Sequence, residues 1–283
     1  MISTPSLTPI NMPSLPFSTV FLMFIIYAFI GWICEEIWCT VGSRKLVKRG
    51  MLHGPICPIY GFGALSILYM LYPWRTTFLR LFIASAIVTS ILEYFTSWLL
   101  EKLFHAKWWD YSQMPFNLNG RCCLLNSTAF GIGGIAMEHV IHPLIEKFLA
   151  LPVFTMYMET ISAVLAVILS VDILVTVHKL VNFATAMEKV KTFRENIMER
   201  FENEEWFKKD SFQEMLNSIR EHAAVQPALF SKKLLDYVDA YSRRQNISEF
   251  WLKKFPNMTS KDFSSVLEHV KSKIQDKKAK ENS

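Results

Sequence analysis

The sequence predicts an all-α membrane protein: a bundle of about five transmembrane helices followed by a soluble helical tail. Three observations carry that reading. Hydrophobic residues make up 51% of the 283 and charged residues only 19%, too little charge for a wholly water-facing surface. The charge is also displaced to one end: residues 1–180 hold eleven Lys/Arg and nine Asp/Glu, and the last 103 residues hold nineteen and sixteen. Finally, five apolar runs, near 18–41, 55–73, 79–101, 122–146 and 155–178, have the ~20-residue length that a bilayer requires. Buried core helices of a soluble protein are the competing reading, and five such runs in succession weigh against it. The predicted organisation is a short extracytoplasmic N-terminal tail over 1–17, a five-span membrane domain over 18–180, and a cytoplasmic helical tail over 181–283. A net charge of +5 is mild and calls for no nucleic-acid partner.

The first run is expected to be an uncleaved anchor, because residues 1–17 carry Pro5, Pro9, Pro13 and Pro16 and no cation, unlike a secretory signal. Basic residues in the connections set the orientation. The first connection has Arg44, Lys45, Lys48 and Arg49, and the third has Lys102, Lys107 and Arg121. The other side has Arg75, Arg80 and Lys147. Seven against three places the N-terminus outside and the C-terminus in the cytoplasm. Cysteines 34, 39, 57, 122 and 123 show no C-x-x-C and no metal-ligand spacing, so they read as small hydrophobes, and no metal or other cofactor is expected.

The second run begins unusually. Residues 48–64, KRGMLHGPICPIYGFGA, carry four glycines and two prolines at the edge of a bilayer-length stretch. Arg49-Gly50 and His53-Gly54-Pro55 are expected to turn the chain, with Pro55 at a helix start. Pro58, Gly61 and Gly63 are then expected to loosen the first turns, with Tyr60 among them. Gly54, Pro55, Pro58, Tyr60, Gly61 and Gly63 therefore form a candidate helix-break segment, which either lines a site or is a structural bend. YGFG (60–63) has the glycine–aromatic–glycine order of a potassium filter, but lacks the preceding threonine and valine and follows a proline. It is not read as a filter.

Charged residues inside the spans are costly and mark either function or a bundle interior. Glu35 and Glu36 lie roughly 27 Å from the outer start of the first run, near the cytoplasmic face, and Asp172 sits similarly in the fifth. Glu159 is about one turn from the outer face and reads as an interfacial carboxylate. Glu93 lies well inside the third run, on a stripe with Ser85, Thr89 and Ser97 that must face protein or water. Part of that stripe can be structural, since hydroxyls bond their own helix backbone. Glu35, Glu36, Glu93 and Asp172 are expected to line a polar inner vestibule.

In the third connection, WWDYSQMPFNLNGR (108–121) mixes Trp108, Trp109 and Tyr111, suited to an interfacial aromatic belt, with Asp110, Asn117, Asn119 and Arg121. Arg121 is placed to pair with Glu93 or Glu35, or to bind an anionic headgroup or phosphate. In the fourth run, Glu138, His139 and His142 do not match H-E-x-x-H, so hydrogen-bonded histidines are the expectation there. Ser127, Gly131, Gly133, Gly134 and Ala136 are small enough for close helix contact. Beyond the fifth run, Phe183, Met187, Val190, Phe193, Ile197 and Phe201 recur at helical steps, so that helix is expected to continue. Further helices are expected near 207–222, 227–244 and 260–277, with breaks at Pro227 and Pro256. Leu229, Leu234, Leu235 and Val238 are expected to pack a small helical unit. The sequons at Asn246 and Asn257 read as chance matches in a cytoplasmic tail.

FIGWICEEIW (29–38), VKRGMLHGPICPIYGFGA (47–64), WWDYSQMPFNLNGRCCLL (108–125) and VIHP (140–143) occur in that order. Together they resemble the family named Putative ABC-transporter type IV, also called CmpB-like, over roughly residues 20–180. The resemblance implies a permease-like component of a transporter. The chain itself has no G-x-x-x-x-G-K-[ST] loop and no G-x-S-x-G elbow, so a transporter of this kind would need a separate ATPase subunit. It is not expected to be an enzyme. Two other classes stay open: a membrane scaffold recruiting a cytoplasmic protein partner through its tail, and a membrane-embedded enzyme acting on lipid-linked substrates through Glu93, Asp110 and Arg121. Membrane lipid is a partner in every case.

Overall fold

The computed structural model describes residues 15–43, 50–208, 212–226, 251–252, 254–260, 267 and 271. The N-terminal tail as far as 14, the basic cluster 44–49, the expected helix 227–244 and most of the one at 260–277 lie outside them, as does the sequon at Asn246. The described chain is mostly helical. In order come α1 (Phe17–Ser43), α2 (Pro58–Met70), a 3-10 turn (Tyr72–Trp74), α3 (Phe78–Phe104), a hairpin of β1 (Asn117–Leu118) and β2 (Cys122–Cys123), α4 (Leu124–Ala136), a π-turn (Met137–Ile141), α5 (His142–Leu149), α6 (Pro152–Phe201) and α7 (Phe212–Val225).

Among the described residues, three helices are long and apolar enough to cross a membrane: Phe17–Ile37 within α1, all of α3, and α6. The other two expected runs are helical but differently built. The second is shortened to the 13 residues of α2, rising about 20 Å against a ~30 Å hydrocarbon core. Its helix starts at Pro58 rather than Pro55, with residues 50–57 irregular before it. At the other end Pro73 lies in the 3-10 turn that follows. The fourth run is α4, the π-turn and α5 following one another without a gap. Pro143 explains the π-turn, since it has no N–H for a carbonyl four residues back and its ring would clash there.

The chain divides into two compact units. In the first, which runs to Thr96 and again over Met114–Thr176, one apolar cluster joins Leu22, Met23 and Tyr27 of α1, Ala64, Ile67 and Leu68 of α2, and Leu81 and Ala84 of α3. Met137, Ile145 and Leu149 complete it from the π-turn and α5. These are the starts of α1 and α3, the end of α2 and the far end of the α4–α5 run. The helices alternate in direction, so the residues left at their other ends, Glu35, Tyr60, Glu93 and Asn126, come to one end of the unit.

Helix α3 has the polarity expected in lipid. Leu79, Ile83, Ile87, Ile91 and Phe95 are exposed at four-residue steps, while Ser85 and Glu93 are buried. A water-soluble helix shows the reverse distribution. Small residues bring its neighbours close: a Cβ on Gly131 would meet the Phe82 backbone oxygen at 3.0 Å, and one on Gly134 would meet Ser85 Cβ at 2.5 Å. Gly133, grouped with them in the sequence, faces open space.

The second unit takes Ser97–Gln113 and the described residues from Val177 onward. The continuation of α6 buries Leu180, Phe183, Met187, Phe193, Ile197 and Phe201, as the periodicity predicts. The expected helix near 207–222 is α7, which buries Met215, Leu216, Ile219 and Ala223. Trp108 sits in an aromatic centre with Phe104, Phe183, Trp251 and Phe255, at 1% exposure. It is a core residue rather than part of an interfacial belt. Lys107 and Thr259 exchange backbone hydrogen bonds of 2.8 and 2.9 Å, and Ser260 Oγ donates to the His105 carbonyl at 2.6 Å.

Candidate functional site

The polar end of the first unit holds two groups of side chains. One surrounds the irregular segment 50–57. Gly50, at φ +93, takes a conformation that a side chain would strain, and a Cβ there would meet Cys57 Sγ at 3.2 Å. Backbone donors in such a segment need partners wherever water is scarce. Asp172 supplies two of them: its Oδ1 accepts from the His53 N–H at 2.9 Å and its Oδ2 from the Gly54 N–H at 2.7 Å. His53 Nδ1 also lies 3.0 Å from Thr176 Oγ1 and 3.3 Å from Asp172 Oδ1. The Cys57 N–H donates to the Ala28 carbonyl of α1 at 3.0 Å. Pro55 is exposed within a tight turn closed by the Ile56 N–H on the Gly54 carbonyl at 2.8 Å. Tyr60 donates its hydroxyl to Glu35 Oε2 at 2.8 Å, and its ring meets Phe130 edge-on.

The glycines after Pro58 do not loosen α2. Pro58 occupies the first turn, where its missing N–H costs no bond. Gly61 is a contact position, since a Cβ there would lie 2.8 Å from the Phe24 backbone oxygen, and Gly63 meets only Leu92 at an ordinary 3.8 Å. On α1, Gly31 answers in kind: a Cβ there would overlap the Tyr60 side chain. Glycine here sets how near α1 and α2 approach.

The second group lies on α3 and the hairpin. Glu93 is 5% exposed and receives the Asn126 side-chain amide at 3.4 Å. The Arg121 guanidinium sits over the Tyr94 ring, 5.3 Å from its centroid, and Asn119 Nδ2 donates to the Tyr94 hydroxyl at 3.0 Å. Ser127 gives its hydroxyl proton to the Cys123 carbonyl, which leaves Ser90 as donor in their 2.6 Å bond. Thr89 bonds back to the Ser85 carbonyl at 2.7 Å, so part of the stripe is structural. Glu36 lies half-buried near the end of α1.

Asp110 belongs to the second unit. Burial alone would raise its carboxyl pKa. Hydrogen bonds from the Ser112 hydroxyl and N–H and the Thr259 hydroxyl, with Lys107 nearby, outweigh burial and hold it below the usual carboxylate value. That is a structural carboxylate tying residues 107–112 to Thr259. Sequence reasoning missed this partnership and the one between Asp172 and residues 53–54, because backbone donors and isolated hydroxyls carry no sequence signature.

In the π-turn region, His142 Nδ1 meets the Tyr27 hydroxyl at 2.7 Å, while Nε2 faces Glu146 at 3.5 Å. The two ring nitrogens thus tie α1 and Glu146 to the same side chain. His139 lies against Phe78. These are hydrogen-bonded or packed histidines, and no metal-binding cluster occurs among the described residues.

Neither the curated proteins nor the solved structures offer a match to this chain. The family model described as Putative ABC-transporter type IV matches residues 22–177, a stretch that takes in Glu35, the 50–63 segment, Glu93, Arg121 and Asp172. With more than half its length matched and three helices able to cross a membrane, the chain belongs to the Putative ABC-transporter type IV family of membrane transporter components.

Proposed function

We propose that the chain is the permease-like component of a transporter driven by a separate ATP-binding subunit. The observation that carries this reading is Glu93. A carboxylate 15 residues into an apolar membrane-length helix is energetically costly, and such residues mark substrate or ion paths unless they serve only a structural pair. Glu93 shares one end of its unit with Glu35 and the Asp172-held turn, and irregular backbone at membrane depth is tolerated where it lines a polar path. In this reading the polar end faces the cytoplasm, with the N-terminus outside, and the irregular 50–57 segment supplies the part of the second crossing that α2 is too short to make. The tail over 181–283 then lies on the side where an ATPase or another cytoplasmic partner is available.

The test is purification of the tagged full chain from its own membranes in mild detergent, with identification of co-purifying proteins and measurement of ATP hydrolysis. An ATP-binding subunit that co-purifies, and a Glu93→Gln variant that keeps the complex but loses uptake or export in vesicles, support the reading. A chain recovered with no nucleotide-binding partner, or a Glu93→Gln variant with full transport, overturns it.

A further inference from the structure

The hairpin before α4 is held rigidly from within yet turns apolar side chains outward. Its turn runs through Asn119 and Gly120, both at positive φ (53° and 68°), and closes with the Arg121 N–H on the Leu118 carbonyl at 3.0 Å. That is the hairpin turn favoured by an Asn-Gly pair. Asn117 braces it on both sides, accepting from the Gly120 N–H at 2.9 Å and donating to the Met114 carbonyl at 2.8 Å. Phe116 is itself at φ +51, a conformation that a bulky residue rarely takes, and its carbonyl accepts from the Leu124 N–H at 3.2 Å. Despite this bracing Phe116 is 83% exposed, and Leu118, Leu124 and Leu125 are also exposed. Strain kept at a site whose side chain stays largely exposed points to a use for that side chain beyond packing against the described residues.

We propose that the 116–125 hairpin is an interfacial anchor, with Phe116 and Leu118 inserted at the headgroup–acyl boundary of the bilayer. Continuity selects lipid as the occupant. From Leu125 the exposed surface runs on through Ala129 and Ile132, at helical steps along α4, and Thr128 beside them turns its hydroxyl back onto the Leu124 carbonyl at 2.8 Å. Leu118 and Phe116 extend that surface past the start of the helix, at the level where aromatic residues settle in membranes. The anchor fixes the depth of Arg121 and Asn119 beside Tyr94. This inference needs only that the chain resides in a membrane, so it stands or falls separately from the transport reading.

The experiment uses the full chain in phospholipid nanodiscs with Cys34 and Cys39 replaced by serine, the other three thiols being buried. An environment-sensitive fluorophore is attached at Phe116→Cys, at Leu118→Cys, or at Asn203→Cys in the exposed turn after α6. Lipids carrying a nitroxide near the headgroup then replace the ordinary ones. The labels at 116 and 118 are expected to lose most of their emission, and the label at 203 to keep it. Emission at 116 and 118 that is as insensitive as at 203 overturns the proposal, as does cross-linking of those positions to a protein in native membranes. If Phe116→Cys fails to fold, Leu118→Cys, which has no backbone strain to relieve, decides alone.

Discussion

Asp172 holds a turn that lies 118 residues away in the chain. Hydrogen bonds to a charged group contribute about 1.5–3 kcal/mol each, and two N–H donors depend on this carboxylate. Asp172→Ala is therefore expected to destabilise the detergent-solubilised protein by roughly 3–6 kcal/mol in thermal unfolding. Asp172→Asn, which keeps one acceptor oxygen, should lose less. An Asp172→Ala variant as stable as the parent would show that the 53–54 turn needs no cap. Asp110 makes a different prediction. Its carboxyl is depressed in the folded state, so its stabilising contribution is full above the ordinary carboxylate pKa of about 3.9 and is lost as pH falls through the folded value. Acid should thus lower the thermal midpoint of the parent more steeply than that of Asp110→Asn. Parallel curves would remove the carboxylate from the account. The sequence marks both aspartates as candidates, because a carboxylate in or beside an apolar run is visible by inspection. Their partners are not visible: His53 and Gly54 are chosen by the path of residues 50–57, and Thr259 by a pairing across 149 positions.

Periodicity identifies the long elements well, because an apolar run of membrane length has few alternative structures. The ends of α1 and α3 and the extension of α6 to Phe201 follow directly from it. Where two elements meet, composition alone misleads. Glycine at 61 reads as a helix loosener in isolation, yet α2 is regular there and the missing side chain makes room for Phe24. Glycine at 133 reads as a contact residue beside 131 and 134, yet it faces outward. The distinction depends on which side of the helix meets a neighbour, and a wholly apolar helix does not reveal that in its pattern. Substitution separates the two roles. Gly31→Ala and Gly61→Ala must push Tyr60 or the Phe24 backbone, so each is expected to cost about 1–3 kcal/mol in thermal unfolding, as overpacking does. Gly133→Ala meets nothing within 4 Å and should be neutral or slightly stabilising, since alanine is the better helix former. Equal effects at all three positions would refute the close α1–α2 approach.

For the whole chain, the apolar front and charged back visible in the composition match the two compact units only in part. Residues 97–113, in the middle of the chain, cluster with the described residues from 177 onward, and Trp108 is buried at the centre of that unit. A tryptophan next to a membrane run gives no hint that its partners are Trp251 and Phe255. Orientation, by contrast, is a whole-molecule property that the sequence does address. Seven basic residues flank one side of the expected spans and three the other, and such a bias sets which loops stay in the cytoplasm. The count takes all five expected runs as crossings, and on that reading the termini fall on opposite sides. A membrane-impermeant thiol reagent applied to intact cells should therefore label a Ser6→Cys variant and miss Ser43→Cys, which lies at the end of α1 beside the basic cluster. Labelling in the opposite pattern would invert the molecule and put Glu93 and the Asp172-held turn at the outer face, while labelling of both or neither would mean a first helix that does not span.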